Sequence, residues 1–150
     1  MKNLIIVAAI IAIAVFVDWD ELLSEFQSGA SGPPVLEVNS LTCNVMQGEA
    51  HTSSLSRPRH AEVTGSVTNI SEKPVKVTAK IKFLWQDKTL EISGKPTTRV
   101  NPYPLEPDET GTFSYIKYDV PEEIDCVMSF EDTRTGSPLP YRGQLKASSY

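Results

Sequence analysis

Little in this sequence invites covalent chemistry. It has no G-x-S-x-G, no glycine-rich phosphate loop and no H-E-x-x-H, which removes the usual signatures of serine hydrolases, nucleotide-binding folds and zinc proteases. Histidine is scarce, with only His51 and His60. Together with Cys43 and Met46 they are the soft donors that copper takes, but their spacing fits no compact zinc pattern. No metal and no cofactor are therefore expected. The acid pairs Asp108–Glu109 and Glu122–Glu123 stand beside prolines at strand ends, where solvated turn acids are the rule. Positive charge is also short: 14 Lys and Arg against 19 Asp and Glu give a net charge of −5. A field of that sign disfavours nucleic acid as a partner. No catalytic residue is expected, and the chain reads as a non-enzyme.

A long apolar run is missing as well. A comfortable bilayer span needs about 20 apolar residues, and Leu4 to Val17 supplies 14. Lys2 precedes the run and "DWDELLSEF" comes after it. The length lies near the top of the range for a signal-peptide core. Ala12-Ile13-Ala14 offers a small-x-small cleavage site, although cutting there leaves a short core. No cysteine lies soon after the run, which argues against lipoprotein processing. Uncleaved, the helix extends through Trp19, Leu22, Leu23 and Phe26, which recur with helical spacing. Those residues would then meet the membrane interface or a partner helix, with Asp18, Asp20 and Glu21 in water. Both readings put the remainder outside the cytoplasm, in a periplasm or at a cell surface. The retained anchor, with a cytoplasmic N-terminus, is the favoured expectation.

The chain does contain the vocabulary of β-structure. It has 11 prolines, 8 glycines and many Val, Thr and Ser, which favour strands and turns over helices. After the anchor region of residues 1–27 comes a linker, "SGASGPP", over residues 28–34. Residues 35–133 then adopt period two. A first strand runs from Leu36 through Cys43 to Val45, and "MQGEAHTSSLSRPRH" is a polar connection. Val63 and Val67 share a face with Gly65, a strand glycine that implies close approach by a neighbour or a bulge. "NISEKP" turns the chain. Val75, Val77, Ala79, Ile81, Phe83 and Trp85 then alternate with Lys76, Thr78, Lys80, Lys82, Leu84 and Gln86, the strongest strand signal in the chain. The lysines form a solvated, edge-protecting face, and Phe83 and Trp85 are expected in the core. "LEISG" makes a short strand, "KPTTRVNPYPLEPDETG" a proline-punctuated crossing, and "TFSYIKYDV" and "IDCVMSFED" complete the set. In "TFSYIKYDV" both faces are expected to be partly covered. Residues 134–150 lack periodicity and read as a flexible tail.

The two cysteines, Cys43 and Cys126, lie in strand-like segments. In an oxidising compartment an even pair reads first as a disulfide. In "NPYPLEP" Tyr103 stands between two prolines, in a stretch that would suit a polyproline-like edge and a partner contact. "NIS" at Asn69 is both turn chemistry and a glycosylation sequon.

Three stretches resemble one known family. "VTGSVTNISEKPV", from Val63 to Val75, resembles the FxLYD domain family, whose members often read close to V-x-G-x-V-x-N-x-S-x-x-P-V. The naming motif maps on "FLWQD": Phe83 and Asp87 match, Trp85 stands for Leu and Gln86 for Tyr. "LEPDETGTF" resembles the family's L-x-P-G-E-x-x-x-F through Leu105, Pro107, Glu109 and Phe113, with Asp108 in place of Gly. The resemblance covers residues 36–132. It implies an immunoglobulin-like antiparallel β-sandwich, exported and tethered by an N-terminal helix, with no catalytic residues.

The expected protein is thus an all-β, immunoglobulin-like antiparallel β-sandwich behind one hydrophobic helix. It would act as an accessory subunit or interaction module, with the membrane and other protein subunits as partners. A surface-filament subunit built on the apolar helix, or a secreted soluble binding protein, are the alternatives.

Overall fold

The computed structural model describes residues 31–47, 59–90 and 94–149. Trp19, Leu22, Leu23, Phe26 and the rest of the expected anchor lie outside the described residues, as do His51 and most of "LEISG". Among the described residues no helix is long and apolar enough to cross a membrane.

The described part is all-β: two sheets face each other across one apolar layer. The first sheet has the order β6-β2-β1-β8, with β1 Leu36–Met46, β2 His60–Asn69, β6 Thr110–Tyr118 and β8 Tyr141–Gly143. The second has the order β4-β3-β7-β9, with β5 also on β3. Its strands are β3 Val77–Trp85, β4 Lys88–Thr89, β5 Thr97–Arg99, β7 Asp125–Asp132 and β9 Lys146–Ser148. The period-two pattern determines which side chains go inward, because successive residues of a strand point to opposite faces. Leu36, Val38, Leu41 and Cys43 of β1 meet Val77, Ala79, Ile81 and Phe83 of β3 in one core cluster. Phe113 packs edge-on against Phe130, with centroids 6.0 Å apart, and Phe130 against Tyr141 at 5.3 Å.

Cys43 and Cys126 are bridged, joining β1 of one sheet to β7 of the other. The bridge closes a separation of 83 residues, a loop worth about 4 kcal/mol where chain entropy governs disulfide stability.

Gly65 is where the close approach falls. A Cβ there would come within 2.7 Å of the Ser40 carbonyl oxygen and would also meet the Phe113 ring. The pairing of β1 with β2 shifts register between Val38 and Ser40, so the irregularity lies on the strand opposite the glycine.

Four expectations need correction. Residues 134–150 are not a free tail: β8 completes the first sheet and β9 the second. After β7 the chain doubles back, with Asp132 N–H donating to Ser137 O and Leu139 N–H to Phe130 O, then crosses to the other sheet. Strands of three residues are too short to display alternation, so the segment reads as irregular. That crossing brings β8 alongside β1 in the same direction, Leu36 opposite Tyr141, so the sandwich is not purely antiparallel.

Trp85 is not a core residue; it is 44% exposed, whereas Leu84 is buried. The strand ends there, and Gln86 and Asp87 turn the chain with φ of 49° and 59°. Two successive left-handed residues make the tight turn of a two-residue hairpin, which places Trp85 opposite Lys88. Finally, β3 is not an edge strand, since β7 pairs one side of it and β4 and β5 the other. Lys80 faces out to Glu131 at 3.2 Å from the middle of a sheet.

Candidate functional site

One turn organises the region around Tyr103. Asn69 is fully buried at the end of β2. Its Nδ2 donates to Lys73 O at 2.8 Å and to Leu105 O at 3.0 Å. Its Oδ1 accepts from Ser71 N at 2.9 Å and Ser71 Oγ at 2.7 Å. Asn69 therefore joins "NISEKP" to "PLEPDE", which lie in two of the stretches that carry the family resemblance. With every polar atom of its amide engaged, it has no room for a glycan. Asp108, at the glycine position of the family pattern, has φ of 63°, a left-handed conformation that Asp tolerates better than most residues.

The same turn holds the proline-rich crossing in place. Val75 and Leu105 bridge, as do Asn101 and Thr112, and Val100 and Leu105 are buried. The segment between them is a connector held at both ends, with Pro102 and Pro104 exposed, not a free polyproline edge. Its Asn101–Pro102 and Tyr103–Pro104 peptide bonds are both cis. Tyr103 emerges half-buried, between the first residues of β3 and the end of β5.

Two cations lie against its ring. Lys76 Nζ is 5.4 Å from the ring centroid and Arg99 Cζ 5.1 Å, both within cation–π range. Neither forms an ion pair among the described residues. The acids nearest in the ladder have cations of their own: Glu131 holds Lys80, and Asp132 lies 3.6 Å from Arg134. In a chain with net charge −5, this is a place where positive charge gathers without a carboxylate. Such a surface can receive an anionic group over an aromatic platform. The sequence singled out Tyr103, but not Lys76 and Arg99 as its companions. They lie 23 residues apart in the chain, and only strand pairing brings them to one ring.

A second exposed feature lies on the other sheet. Ile116 is 48% and Tyr118 55% exposed, on the face of β6 opposite Phe113. The described residues leave that face open, contrary to the partial cover expected. His60 meets Tyr118 at 5.7 Å between ring centroids, and Met46 pairs with His60 across the ladder. Inboard of this end the face is a lattice of hydroxyls, with Thr42 and Thr64 2.6 Å apart and Ser40 and Ser66 2.7 Å apart. Strict alternation assigns Ile116 and Tyr118 away from Phe113; only the register shows that Tyr118 meets His60 and that both side chains stay exposed. Among the described residues no group of three or more His, Cys, Asp or Glu is placed to hold a metal ion.

No protein-family model matches the sequence, and no curated protein matches it. Among solved structures, a Bacteroides uniformis β-glucuronidase 2 bound covalently to a cyclophellitol-carboxylate aziridine is similar over 77% of this chain, with a TM-score of 0.53 and 16% identity. A second Bacteroides uniformis β-glucuronidase structure gives 0.53 and 15% over the same share. In each case the match spans 14% of the enzyme chain, so the likeness shows a shared β-domain fold and nothing of the enzymes' chemistry. A Niemann-Pick type C2 protein from the Japanese carpenter ant aligns over 78% of this chain and 94% of its own, at a TM-score of 0.42 and 14% identity. That score is too low to carry an argument.

Proposed function

We propose that this chain is a non-enzymatic interaction module: an immunoglobulin-like sandwich held outside the cytoplasm by its N-terminal apolar segment, binding a partner subunit of a membrane or surface assembly. The observation that carries the reading is the pair of cations without carboxylate partners, Lys76 and Arg99, on Tyr103. The partner contact is an acidic segment of another protein. A carboxylate there would meet two positive charges beside a ring that shields one side from water, which strengthens charge-assisted hydrogen bonding.

Further support comes from the compartment and the family pattern. A disulfide between the sheets is typical of oxidising spaces, and a Lys before the apolar run with acids after it favours export of the remaining chain. The resemblance to the FxLYD family belongs to the same reading, since it implies a tethered, exported sandwich without catalytic residues. The sandwich serves as a rigid carrier of loops, and function is grafted onto those loops.

The test is gentle detergent extraction of the full chain from its native membranes, beside Arg99→Glu and Tyr103→Ala variants. The expected result is a stoichiometric companion protein that travels with the wild type and is lost from Arg99→Glu. A chain that travels alone, or companions indifferent to both substitutions, would end this reading. Intact mass of the extracted chain reports separately on whether the apolar segment is retained.

A further inference from the structure

Strand β6 ends the first sheet. Its odd-numbered residues bond inward to β2, in phase with the pairs that flank it: Asp119 N–H donates to Arg59 O, and Glu109 O accepts from Asn69 N–H. Its even-numbered residues therefore direct their backbone groups outward, as Thr112 does in exchanging both bonds with Asn101. Beyond Thr112 that cover stops. Among the described residues, none pairs with the outward N–H and C=O groups of Ser114, Ile116 and Tyr118. The side chains beside them, Ile116 and Tyr118, are both exposed. An open strand edge with apolar neighbours is a template for another strand.

We infer that the occupant is a second copy of this chain, with β6 pairing antiparallel to β6 about a two-fold axis at Ile116. The pattern is self-complementary. On the outer face Ile116 meets Ile116 and Ser114 meets Tyr118, all uncharged. On the inner side Lys117 falls opposite Tyr115, twice, by the symmetry of an isologous contact. An inward lysine normally guards an edge strand, because pairing would bury it alone. Opposite a tyrosine ring it gains a cation–π partner. Ser114, Ile116 and Tyr118 of each copy would exchange roughly six backbone bonds in this register. The one acid close by on the outer face, Glu62, pairs with Ile116 from β2. It and its symmetry mate would lie three strand spacings apart, about 14 Å, beyond a physiological screening length. The one like-charge pair in this register is Lys117 and its symmetry mate, diagonal neighbours about 7–8 Å apart, each of which faces a tyrosine ring of the other copy.

The Tyr103 ring lies on the crossing from β5 to β6, which pairs with β6 only at Thr112, whereas the edge in question begins beyond Thr112; different variants read the two, so one can fail without the other. The test uses the full chain in mild detergent with a single added cysteine. Ile116→Cys places identical residues across the two-fold, about 5.5 Å apart at Cα, within disulfide reach. Thr42→Cys, exposed on the middle of the same sheet face, is the control. On mild oxidation the expected result is a covalent dimer through position 116, several-fold above that through position 42. Association through the N-terminal segment alone would raise both equally and overturn the proposal, as would a position-116 variant that stays monomeric. Ile116→Pro provides a second arm. It removes an outward N–H that β2 does not use, a position where an edge strand accepts proline. Sedimentation should show its dimer fraction reduced at matched concentration, and an unchanged fraction would also overturn the proposal. Should that variant fail to fold, the cross-linking comparison still decides.

Discussion

Phe113 of β6 lies across the α-carbon of Gly65 on β2, its paired residue, so closely that a methyl group on Gly65 would meet the ring and the Ser40 carbonyl together. The ring fills the space that a side chain would have taken, and the same ring stacks edge-on with Phe130. Gly65→Ala should therefore cost about 2 kcal/mol, in the range of overpacked cores. The check is the urea midpoint of unfolding at constant slope. A midpoint equal to the wild type would mean that the ring moves aside freely.

Asn69 supports two loops with one side chain. In Asn69→Ala the carbonyls of Lys73 and Leu105 each lose one of two donors, and Ser71 loses an acceptor for its N–H and hydroxyl. A loss of about 2–3 kcal/mol is expected, because all the hydrogen bonds of a fully buried amide go together, at roughly 0.5–1.5 kcal/mol each. Hydrogen exchange should also rise at Val75 and Leu105, which bond to each other across the loops. Protection unchanged at those amides would contradict this role.

Tyr141 tests whether the C-terminal segment belongs to the fold. It packs on Phe130, and its hydroxyl donates to Met128 O at 3.3 Å; burial raises its pKa above the ordinary 10.0. Tyr141→Ala should destabilise the whole domain by about 2 kcal/mol, less than a fully buried aromatic because the ring is only partly buried. Thermal unfolding would report it, whereas a free tail would leave the transition where it was.

The carboxylate of Asp125 couples β7 to β9. Burial by itself raises its pKa, but the hydrogen bonds from Lys146 and Ser148 and the Lys146 charge outweigh that, and the net shift is below the ordinary 3.8. Lys146 Nζ lies 2.6 Å from Oδ2, and Ser148 Oγ donates to Oδ1 at 2.6 Å. A depressed folded pKa means that the unfolded chain binds the proton more readily. The stabilisation is thus complete above the ordinary carboxylate value and fades as pH falls through the folded one. Asp125→Asn should be less stable than the wild type at neutral pH, and the gap should narrow progressively below about pH 4. A gap independent of pH would show that the contribution is packing and not charge.

Alternation alone marks the long strands β1, β2, β3, β6 and β7, because a strand with one buried face must repeat its apolar residues every second position. It also marks Gly65 as a place of close approach, and the cysteine pairing is legible because an even pair in strand-like segments reads first as a disulfide in an oxidising compartment. These are properties of single segments, written locally in the chain. The exposure of Trp85, the parallel β8 and the docking of β9 are not. Each depends on where the chain turns or crosses between sheets, and strands of two or three residues are too short to carry a period. The meeting of Lys76, Arg99 and Tyr103, and the open edge of β6, were decided by tertiary structure for the same reason. A side chain's neighbours across a sheet are set by register, and register is a relation between distant segments that neither segment states alone.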